Sequence, residues 1–231
     1  MVKADLNSKA ERDRVEKLKQ FEYAAYNNGY EFLAGIDEVG RGPLAGPVVA
    51  AAVILPRDFY LAGVNDSKKL TATMRNRLVG EIKQKALSWA LCYISPAYLD
   101  RINIYNATRE AMKTAVQNLS IKPDFLLVDA MKLPELNIDS QSIIKGDSLS
   151  ISIACASILA KVERDLSMES YDKLYPQYGF ARHKGYATRE HLEMINRYGV
   201  CSIHRTSFEP IKTLVGKNTL SQKGLFDKQI L

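Results

Sequence analysis

The sequence predicts an α/β fold in which a mixed sheet is flanked by helices and followed by a helical C-terminal region. The main observation is the order of elements: short apolar runs and longer amphipathic segments follow as strand, strand, helix, strand, helix, strand, strand, helix. A glycine-rich connection joins the first two strands, which predicts an antiparallel hairpin before the helical crossovers begin. Composition agrees, since 231 residues with 46% hydrophobic and 25% charged side chains suit one packed domain.

The first predicted elements are a helix and the hairpin. Residues 9–25 carry apolar side chains at helical spacing and predict one amphipathic helix. Residues 32–37 and 47–55 are apolar runs with strand character. Residues 38–46, between them, contain three glycines and one proline, which is typical of a tight, irregular connection.

The remaining elements alternate between helices and strands. Thr71 offers an N-cap for the next helix. The predicted helices cover residues 71–87, 104–119 and 148–171, and the predicted strands cover residues 89–94, 124–129 and 142–145. The fourth strand is apolar throughout its interior, as expected for a strand covered on both faces. The last helix has an apolar first half, so we expect it to lie inside the fold.

This pattern divides the chain into three parts. Residues 1–30 are predicted to form an N-terminal helical extension, residues 31–216 the main domain, and residues 217–231 a flexible tail; the main domain's helical C-terminal part begins at about residue 178. The three cysteines form no CxxC pair, so we expect neither a disulfide framework nor a zinc site. The charged N-terminus lacks a signal-peptide core and the longest apolar run is too short to span a bilayer. We therefore expect no membrane association, a cytoplasmic location and a monomer.

The positive charge is concentrated in two regions. The net charge is +6, with seven Lys or Arg against three Asp or Glu in residues 57–85, and nine against four from residue 182 onward. An excess of this size favours a polyanionic partner such as nucleic acid. The alternative, from charge alone, is a pair of solvated helical faces.

Carboxylates follow or precede apolar segments at three places. Asp37 and Glu38 end the first strand, Asp129 ends the fourth, and Asp147 precedes the long apolar helix. Ligand sites in α/β sheets gather at strand ends, because the strands hold the converging loops rigidly. Four carboxylates brought together would repel one another unless cations lay between them, and all-oxygen ligands suit Mg²⁺ or Mn²⁺. In a basic protein, such a cluster indicates phosphoryl transfer on nucleic acid.

Each carboxylate also has a structural interpretation. Asp147 is placed to N-cap the helix that follows it. Asp129 is placed to begin a loop, and Asp37 with Glu38 to form a turn in the glycine-rich connection. The residues alone leave these alternatives open, because convergence of the four side chains is not visible in a sequence.

The carboxylates lie within blocks that together resemble ribonuclease HII, the bacterial type 2 ribonuclease H family. The segment GIDEVGRGPLAGPV, residues 35–48, is similar to the opening signature of that family. Five further groups follow in family order: NDSKKL (65–70), LVD (127–129), KGD with IACASI, AKV and RD (145–165), HKGYAT (183–188) and HRTSF (204–208). The resemblance implies a ribonuclease H-like mixed sheet and identifies the main domain as a type 2 ribonuclease H catalytic domain.

The resemblance also implies a reaction. The family hydrolyses the RNA strand of RNA–DNA hybrids, and it cuts 5′ to single ribonucleotides embedded in duplex DNA. By resemblance, Asp37, Glu38, Asp129 and Asp147 are the catalytic ligands of two divalent ions, Mn²⁺ or Mg²⁺, and the products carry 3′-hydroxyl and 5′-phosphate ends.

The same resemblance implies substrate contacts. Gly40, Arg41 and Gly42 resemble the family's sensor of the ribose 2′-hydroxyl, where glycines let the backbone approach the sugar. Tyr186 corresponds to the tyrosine that stacks on the sugar at the RNA–DNA junction. The candidate phosphate contacts are Lys68, Lys145 and Lys161. Taken alone, the same residues would be interpreted as a hairpin turn, a packing tyrosine and solvated charges.

Departures from the family pattern are few. Val39 and Cys155 stand where alanine is commoner, Ala187 stands where glycine is commoner, and none of the three removes a proposed ligand. Cys155 lies in an apolar helix and is predicted to be a small core residue. His204 and Arg205 are predicted to make structural hydrogen bonds in the C-terminal region.

Two alternatives and one further partner remain from the sequence. QKGLF, residues 222–226, is similar to the short peptides that bind the bacterial sliding clamp. A ribonuclease HIII-type nuclease is one alternative, although those enzymes differ around Arg41 and carry an additional N-terminal domain. The second alternative is a non-catalytic hybrid-binding module, but the four intact carboxylates argue against it.

Overall fold

A five-stranded mixed sheet forms the centre of the protein. The computed structural model describes Leu6 and residues 8–216. The strands are β1 (Leu33–Val39), β2 (Val48–Ile54), β3 (Ser88–Ile94), β4 (Phe125–Asp129) and β5 (Asp139–Ile143). They lie in the order β3-β2-β1-β4-β5. β1 and β2 form the predicted antiparallel hairpin, which β3 extends, whereas β4 and β5 run parallel to β1. The predicted α/β class and mixed sheet are confirmed.

Helices cover both faces of the sheet. They are α1 (Lys9–Lys17), α2 (Gln20–Asn27), α3 (Ala72–Lys85), α4 (Pro96–Gln117), α5 (Ile151–Leu174), α6 (Phe180–His183) and α7 (Arg189–Tyr198). On one face, α5 and α3 pack with Val49 and Ala51; on the other, α4 packs with Ala50 and Ala52. β2 is therefore buried on both sides, which explains its uninterrupted apolar sequence. Within the described part of the chain, no helix combines the length and apolarity needed to cross a membrane.

Gly35 allows α5 to lie directly on β1. A Cβ at Gly35 would lie only 2.2 Å from the carbonyl carbon of Ser152 in α5, so any larger residue would push the helix away. The next side chain on the same face of β1 is Asp37, because side chains alternate along a strand. The contact therefore places the buried first half of α5 beside the end of β1, and Cys155 is fully buried there, as predicted.

The predicted single helix of residues 9–25 is wrong, since the chain forms two helices. It breaks at Leu18 and Lys19, between α1 and α2. The Leu18 carbonyl accepts a hydrogen bond of 2.9 Å from the N–H of Ile151, the first residue of α5. A continuous helix would have used that carbonyl internally, so docking onto α5 competes with helix continuation.

Three other predicted boundaries also shift. α4 begins at Pro96 rather than residue 104, and a kink at Asn103 (φ +67°) marks the point where the predicted helix was expected to start. The fifth strand is Asp139–Ile143 rather than residues 142–145, because this edge strand is mostly exposed and its polar sequence gives no apolar alternation. α5 begins at Ile151 rather than residue 148, since a 3₁₀ turn precedes it.

Candidate active site

β1 and β4 bring Asp37 and Asp129 together. The parallel pairing of these strands sets Ile36 opposite Val128. Asp37 and Asp129 are the next residues, so they lie side by side at the same edge of the sheet. Paired positions on neighbouring strands project to the same face. The strand register thus explains why two aspartates 92 positions apart in the chain converge.

Asp37, Glu38 and Asp129 form a group that we call the carboxylate cluster. One oxygen of each residue lies within 4.8 Å of the others, with Asp37 buried and the other two half-buried. Asp37 Oδ1 accepts a hydrogen bond from the N–H of Glu38, and Asp129 Oδ1 accepts one from the N–H of Gly146, both at 2.7 Å. These backbone donors orient two of the three side chains.

The carboxylate cluster is held together against its own repulsion. Burial raises the pKa of Asp37 well above its ordinary value, and the charges of Glu38 and Asp129 raise it further. Burial also raises the pKa of Glu38 to about 7, although the Arg41 guanidinium, 3.6 Å from Glu38 Oε1, acts in the opposite direction. A divalent cation would relieve this repulsion. An all-oxygen donor set of this kind fits a hard ion such as Mg²⁺ or Mn²⁺.

Asp147 lies beside the carboxylate cluster without belonging to that group of three. It is buried in the 3₁₀ turn that follows β5. Burial raises its pKa, as do the charges of Asp66 and Asp129, so it lies within electrostatic reach of the cluster. Its Oδ2 is 3.8 Å from Nζ of Lys68. The structure therefore brings all four predicted carboxylates to one edge of the sheet, three in direct proximity and the fourth adjacent.

The structure decides between the alternative interpretations of these residues. The N-cap of α5 is Ser150, whose hydroxyl accepts a hydrogen bond of 3.3 Å from the N–H of Ile153, so Asp147 is not the cap. Asp37 lies within β1 rather than in a turn. Asp129 is the last residue of β4, and its side chain contributes to the carboxylate cluster.

Two polar residues near the site were not predicted from the sequence. Asp66 is close enough to Asp147 to affect its ionisation. Ser157, on α5, is close enough to Asp37 to lower the pKa of that carboxyl, and its hydroxyl lies 3.0 Å from that of Ser67. An aspartate before a serine suggests a turn cap, and a serine in an apolar helix suggests tight packing, so neither residue signalled a place in the site.

Residues 40–46, here called the glycine loop, join β1 to β2 next to the carboxylate cluster. A Cβ at Gly42 would lie 3.8 Å from Cε1 of Tyr186, so the loop and the ring face each other. The Tyr186 side chain is 47% exposed and is accessible to a partner. The structure therefore places the predicted 2′-hydroxyl sensor beside the predicted stacking tyrosine.

A chain of neutral histidines holds the backbone of Tyr186. The Tyr186 carbonyl is 2.9 Å from Nδ1 of His191, which must donate; His191 Nε2 then accepts from Nε2 of His204, at 3.1 Å. His204 Nδ1 accepts from the N–H of Cys201, at 2.9 Å. Burial lowers the pKa of both histidines to about 4, which keeps them neutral. The predicted structural role of His204 is confirmed.

The three predicted phosphate-binding lysines lie in different settings. Lys68 is exposed and its Nζ approaches Asp147. Lys145 is exposed and adopts φ +60° immediately before the turn that carries Asp147. Lys161 is half-buried on α5 and donates to Asp165 at 2.6 Å. Lys68 and Lys145 thus flank the acidic site, whereas Lys161 already has an anionic partner.

Comparisons with known proteins agree with the fold. The family model described as ribonuclease HII matches residues 34–211. A ribonuclease HII from Syntrophomonas wolfei is 61% identical over 215 residues, which cover 93% of this chain and 84% of that protein. The ribonuclease H2 structure from Pyrococcus horikoshii has a TM-score of 0.68 at 25% identity, covering 80% of this chain and 98% of that one.

A second solved structure is the PCNA:RNase HII complex from Archaeoglobus fulgidus, with a TM-score of 0.66 at 27% identity, covering 77% of this chain and 95% of that one. The shared fold and a family match over most of the length lead to one conclusion. The chain belongs to the ribonuclease HII family and is a ribonuclease H, a hydrolase.

Proposed function

We propose that the protein is an endonuclease that hydrolyses the RNA strand of RNA–DNA hybrids and also cuts DNA duplexes 5′ to a single embedded ribonucleotide. The observation that carries this proposal is the position of the carboxylate cluster beside the glycine loop and Tyr186. A phosphodiester at the cluster would set its neighbouring ribose against the loop. Membership of the ribonuclease HII family supports the hybrid substrate.

Asp37, Glu38, Asp129 and Asp147 are proposed to hold two Mg²⁺ or Mn²⁺ ions. Bound there, such ions would supply an activated water and stabilise both the attacking and the leaving oxygen of the phosphodiester. The oxygen donors of these carboxylates suit hard ions, and the repulsion between the carboxylates would be relieved by a bound cation. Both observations support this assignment.

The remaining residues are proposed to orient the duplex. The backbone of Gly40, Arg41 and Gly42 would sense the 2′-hydroxyl, while Tyr186 would stack on the adjacent sugar. The candidate phosphate contacts are Lys68, Lys145 and Lys161, of which Lys161 would have to exchange Asp165 for a phosphate. In-line attack of water on phosphorus would displace the 3′ oxygen, giving 3′-hydroxyl and 5′-phosphate ends.

The test is cleavage of a DNA duplex that contains one ribonucleotide, in Mg²⁺, in Mn²⁺ and in EDTA. We expect metal-dependent cutting 5′ to the ribonucleotide, reduced by more than about 100-fold in Asp129→Asn, since even loss of a group that only supports a ligand costs 10- to 100-fold. Asp13→Asn, the same change at an exposed position of α1, is the matched control and should retain full activity.

Two other outcomes would each favour an alternative. Cutting of long hybrids without cutting at a single ribonucleotide would favour ribonuclease HIII-type behaviour, against the family match. Binding without cutting in any metal would favour a hybrid-binding module.

A sliding clamp is a second proposed partner. Residues 222–226 lie outside the residues that the structure describes. The Archaeoglobus fulgidus relative was solved as a complex with PCNA, which supports the clamp-binding interpretation of the QKGLF sequence. Truncation after Thr219 should abolish clamp pull-down while leaving hybrid cleavage intact; unchanged pull-down would contradict the proposal. The cytoplasmic location and the monomeric state stay predictions from the sequence.

A further inference from the structure

Two arginine side chains are buried beneath the glycine loop. Arg164, on α5, is 1% exposed, and Arg205, after α7, is 0% exposed. Among the ion pairs of the described residues, neither guanidinium has a carboxylate partner. Every side-chain hydrogen bond that the two arginines donate goes to a backbone carbonyl.

Arg205 fixes both ends of the glycine loop. Its guanidinium donates to the carbonyls of Gly40 at 2.6 Å and Arg41 at 3.0 Å. It also donates twice to the carbonyl of Gly46, at 2.8 and 3.0 Å. Its own N–H donates to the carbonyl of Leu44 at 2.8 Å. Four of the seven loop carbonyls are thus directed toward one residue.

Arg164 ties the same loop to the segment that carries Tyr186. It donates to the carbonyls of Ala45 at 3.1 Å and Pro47 at 3.0 Å on one side, and to that of Lys184 at 3.1 Å on the other. A Cβ at Gly40 would lie 2.3 Å from Arg164 Nε, so the loop backbone lies directly on the guanidinium. The distance between the loop and the tyrosine is therefore set by a shared, buried donor.

Carbonyl direction determines amide direction. In a planar trans peptide, the C=O of one residue and the N–H of the next point in opposite directions. Because the carbonyls of Gly40 and Arg41 point into the protein at Arg205, the N–H groups of Arg41 and Gly42 point away from it. Neither N–H has an acceptor within the described part of the chain.

This arrangement is costly for folding. A guanidinium removed from water is stabilised best by a carboxylate, and several neutral carbonyls compensate it less completely. Burial, and then the charge of Arg164, lower the pKa of Arg205 to about 9. Costly arrangements that persist in a fold are commonly tied to function.

We propose that Arg164 and Arg205 are positioning residues that direct the N–H groups of Arg41 and Gly42 toward the ribose 2′-hydroxyl beside Tyr186. This inference rests on the proposed function. It assigns ribose discrimination to two buried side chains that do not touch the substrate, acting through the carbonyls of the glycine loop.

The test measures discrimination rather than activity. In full-length Asp129→Asn, the variant expected to cut too slowly to interfere, the dissociation constants are measured for a duplex with one ribonucleotide and for the same duplex in all-DNA form. We expect Arg205→Lys and Arg164→Lys each to reduce the preference for the ribonucleotide by about fivefold or more, the loss typical of one or two weakened hydrogen bonds. Affinity for all-DNA should not change, because phosphate contacts remain.

The ratio of the two constants keeps the test valid if a variant is partly unfolded, since the inactive fraction affects both substrates equally. A purely structural role for the arginines would weaken both complexes alike and leave the ratio unchanged, which would overturn the proposal. Arg14→Lys is the matched control: Arg14 also donates to a carbonyl, that of Val64 at 2.7 Å, but in the N-terminal extension, so the ratio should stay at the parental value.

Failure of the underlying function gives a different result. If the glycine loop does not sense ribose at all, Asp129→Asn shows no preference for the ribonucleotide before any arginine is changed. If only the positioning role is wrong, the preference is present and survives both lysine substitutions.

Discussion

Glu38 carries a charge that the fold does not compensate on its own. It is largely shielded from water, and its nearest cation, Arg41, is itself 47% exposed and 3.6 Å away. Burial and Asp129 both disfavour its ionised form. The protein therefore gives up stability at this residue, as expected if the carboxylate has the proposed metal-binding role, since such a trade-off is common at active sites.

We expect Glu38→Gln to raise the melting temperature of the metal-free protein at pH 8 by roughly 3–6 °C, the shift for about 1.5 kcal/mol in a protein of this size. Glutamine keeps the shape of the side chain and removes the buried charge. Thermal melts in EDTA provide the measurement. In saturating Mn²⁺, the wild type should instead have the higher melting temperature of the two. Glu31→Gln, at an exposed position outside the cluster, should leave the melting temperature unchanged. A lower melting temperature for Glu38→Gln in EDTA would contradict this account.

At the scale of elements, the contact between β1 and α5 determines whether the site can form. Gly35 lets the two backbones touch, and the carboxylate cluster and Ser157 lie just beyond that contact. A displacement of α5 would move Ser157 away from Asp37 and disturb the turn that holds Asp147.

Gly35→Ala should therefore destabilise the protein by about 1–3 kcal/mol, the usual cost of overpacking a core, and should lower cleavage activity as well. Denaturant unfolding measures the first effect. Gly80→Ala in α3 is the matched control: nothing lies within 4 Å of the added Cβ, so we expect a gain of up to about 1 kcal/mol. Equal behaviour of the two variants would mean that the α5 contact is not tight.

The hydrogen-bonded histidines behind Tyr186 should make the stability of the C-terminal elements depend on pH. His191 and His204 have a pKa of about 4 in the fold against an ordinary value of 6.5, so the unfolded chain binds more protons between these pH values. Stability should then fall as the pH decreases from 6.5 toward 4. The other titratable groups facing the pair are His183, whose ring stacks on His191 at 4.4 Å, and Tyr178, whose ring lies edge-on to His204 at 5.1 Å, together with Glu190 and Cys201.

We expect the melting temperature to fall by an amount on the order of 10 °C between pH 7 and pH 5 because of these histidines. The buried carboxylates have raised pKa values, so their contribution to stability changes with pH in the opposite direction. The measurement is therefore the difference in melting temperature between the wild type and His191→Gln across that range. The difference should shrink as the pH decreases, since glutamine does not titrate. If the difference in melting temperature did not depend on pH, the hydrogen bonds between His191 and His204 would not depend on neutral histidines.

At the scale of the whole molecule, the predicted N-terminal extension is joined to the predicted main domain. Glu22 of α2 is buried, and its Oε1 accepts hydrogen bonds from Ser150 Oγ at 2.6 Å and from the N–H of Ser152 at 3.0 Å. Together with the bond between Leu18 and Ile151, these contacts fix the beginning of α5. The extension thereby supports the element on which the active site depends.

Deletion of residues 1–30 should lower the melting temperature by more than about 10 °C and reduce cleavage activity, because the start of α5 loses its hydrogen-bond partners. Deletion of residues 1–5 alone should change neither quantity. Differential scanning fluorimetry and hybrid cleavage on both truncations would decide the matter. An active, stable protein without residues 1–30 would mean that the extension is an independent attachment.

The sequence predicted those features that have a local pattern, namely apolar strands and the acidic residues that end them. β2 and β4 were found because burial on both faces leaves only apolar residues, and Asp37 and Asp129 because they terminate such runs. β5 was predicted with displaced bounds because it is a polar edge strand, and the break at Leu18 was missed because it depends on a carbonyl that accepts a hydrogen bond from a distant helix. Arg205, like His204, was predicted to make structural hydrogen bonds, yet it was also counted in a positive region, and no local pattern predicts its complete burial.

The position of β1 between an antiparallel and a parallel neighbour has a consequence for biosynthesis. β1, β2 and β3 are nearby in the chain and can pair early as it leaves the ribosome, since pairing of neighbouring segments closes only short loops. β4 must then dock on the open edge of β1. Until it does, that edge is a template for unwanted strand pairing, and the nascent chain lacks Asp129. Docking of β4 thus covers the open edge of β1 and brings Asp129 to Asp37 in one event, so a ribosome-bound fragment that ends before β4 should be both inactive and prone to aggregate.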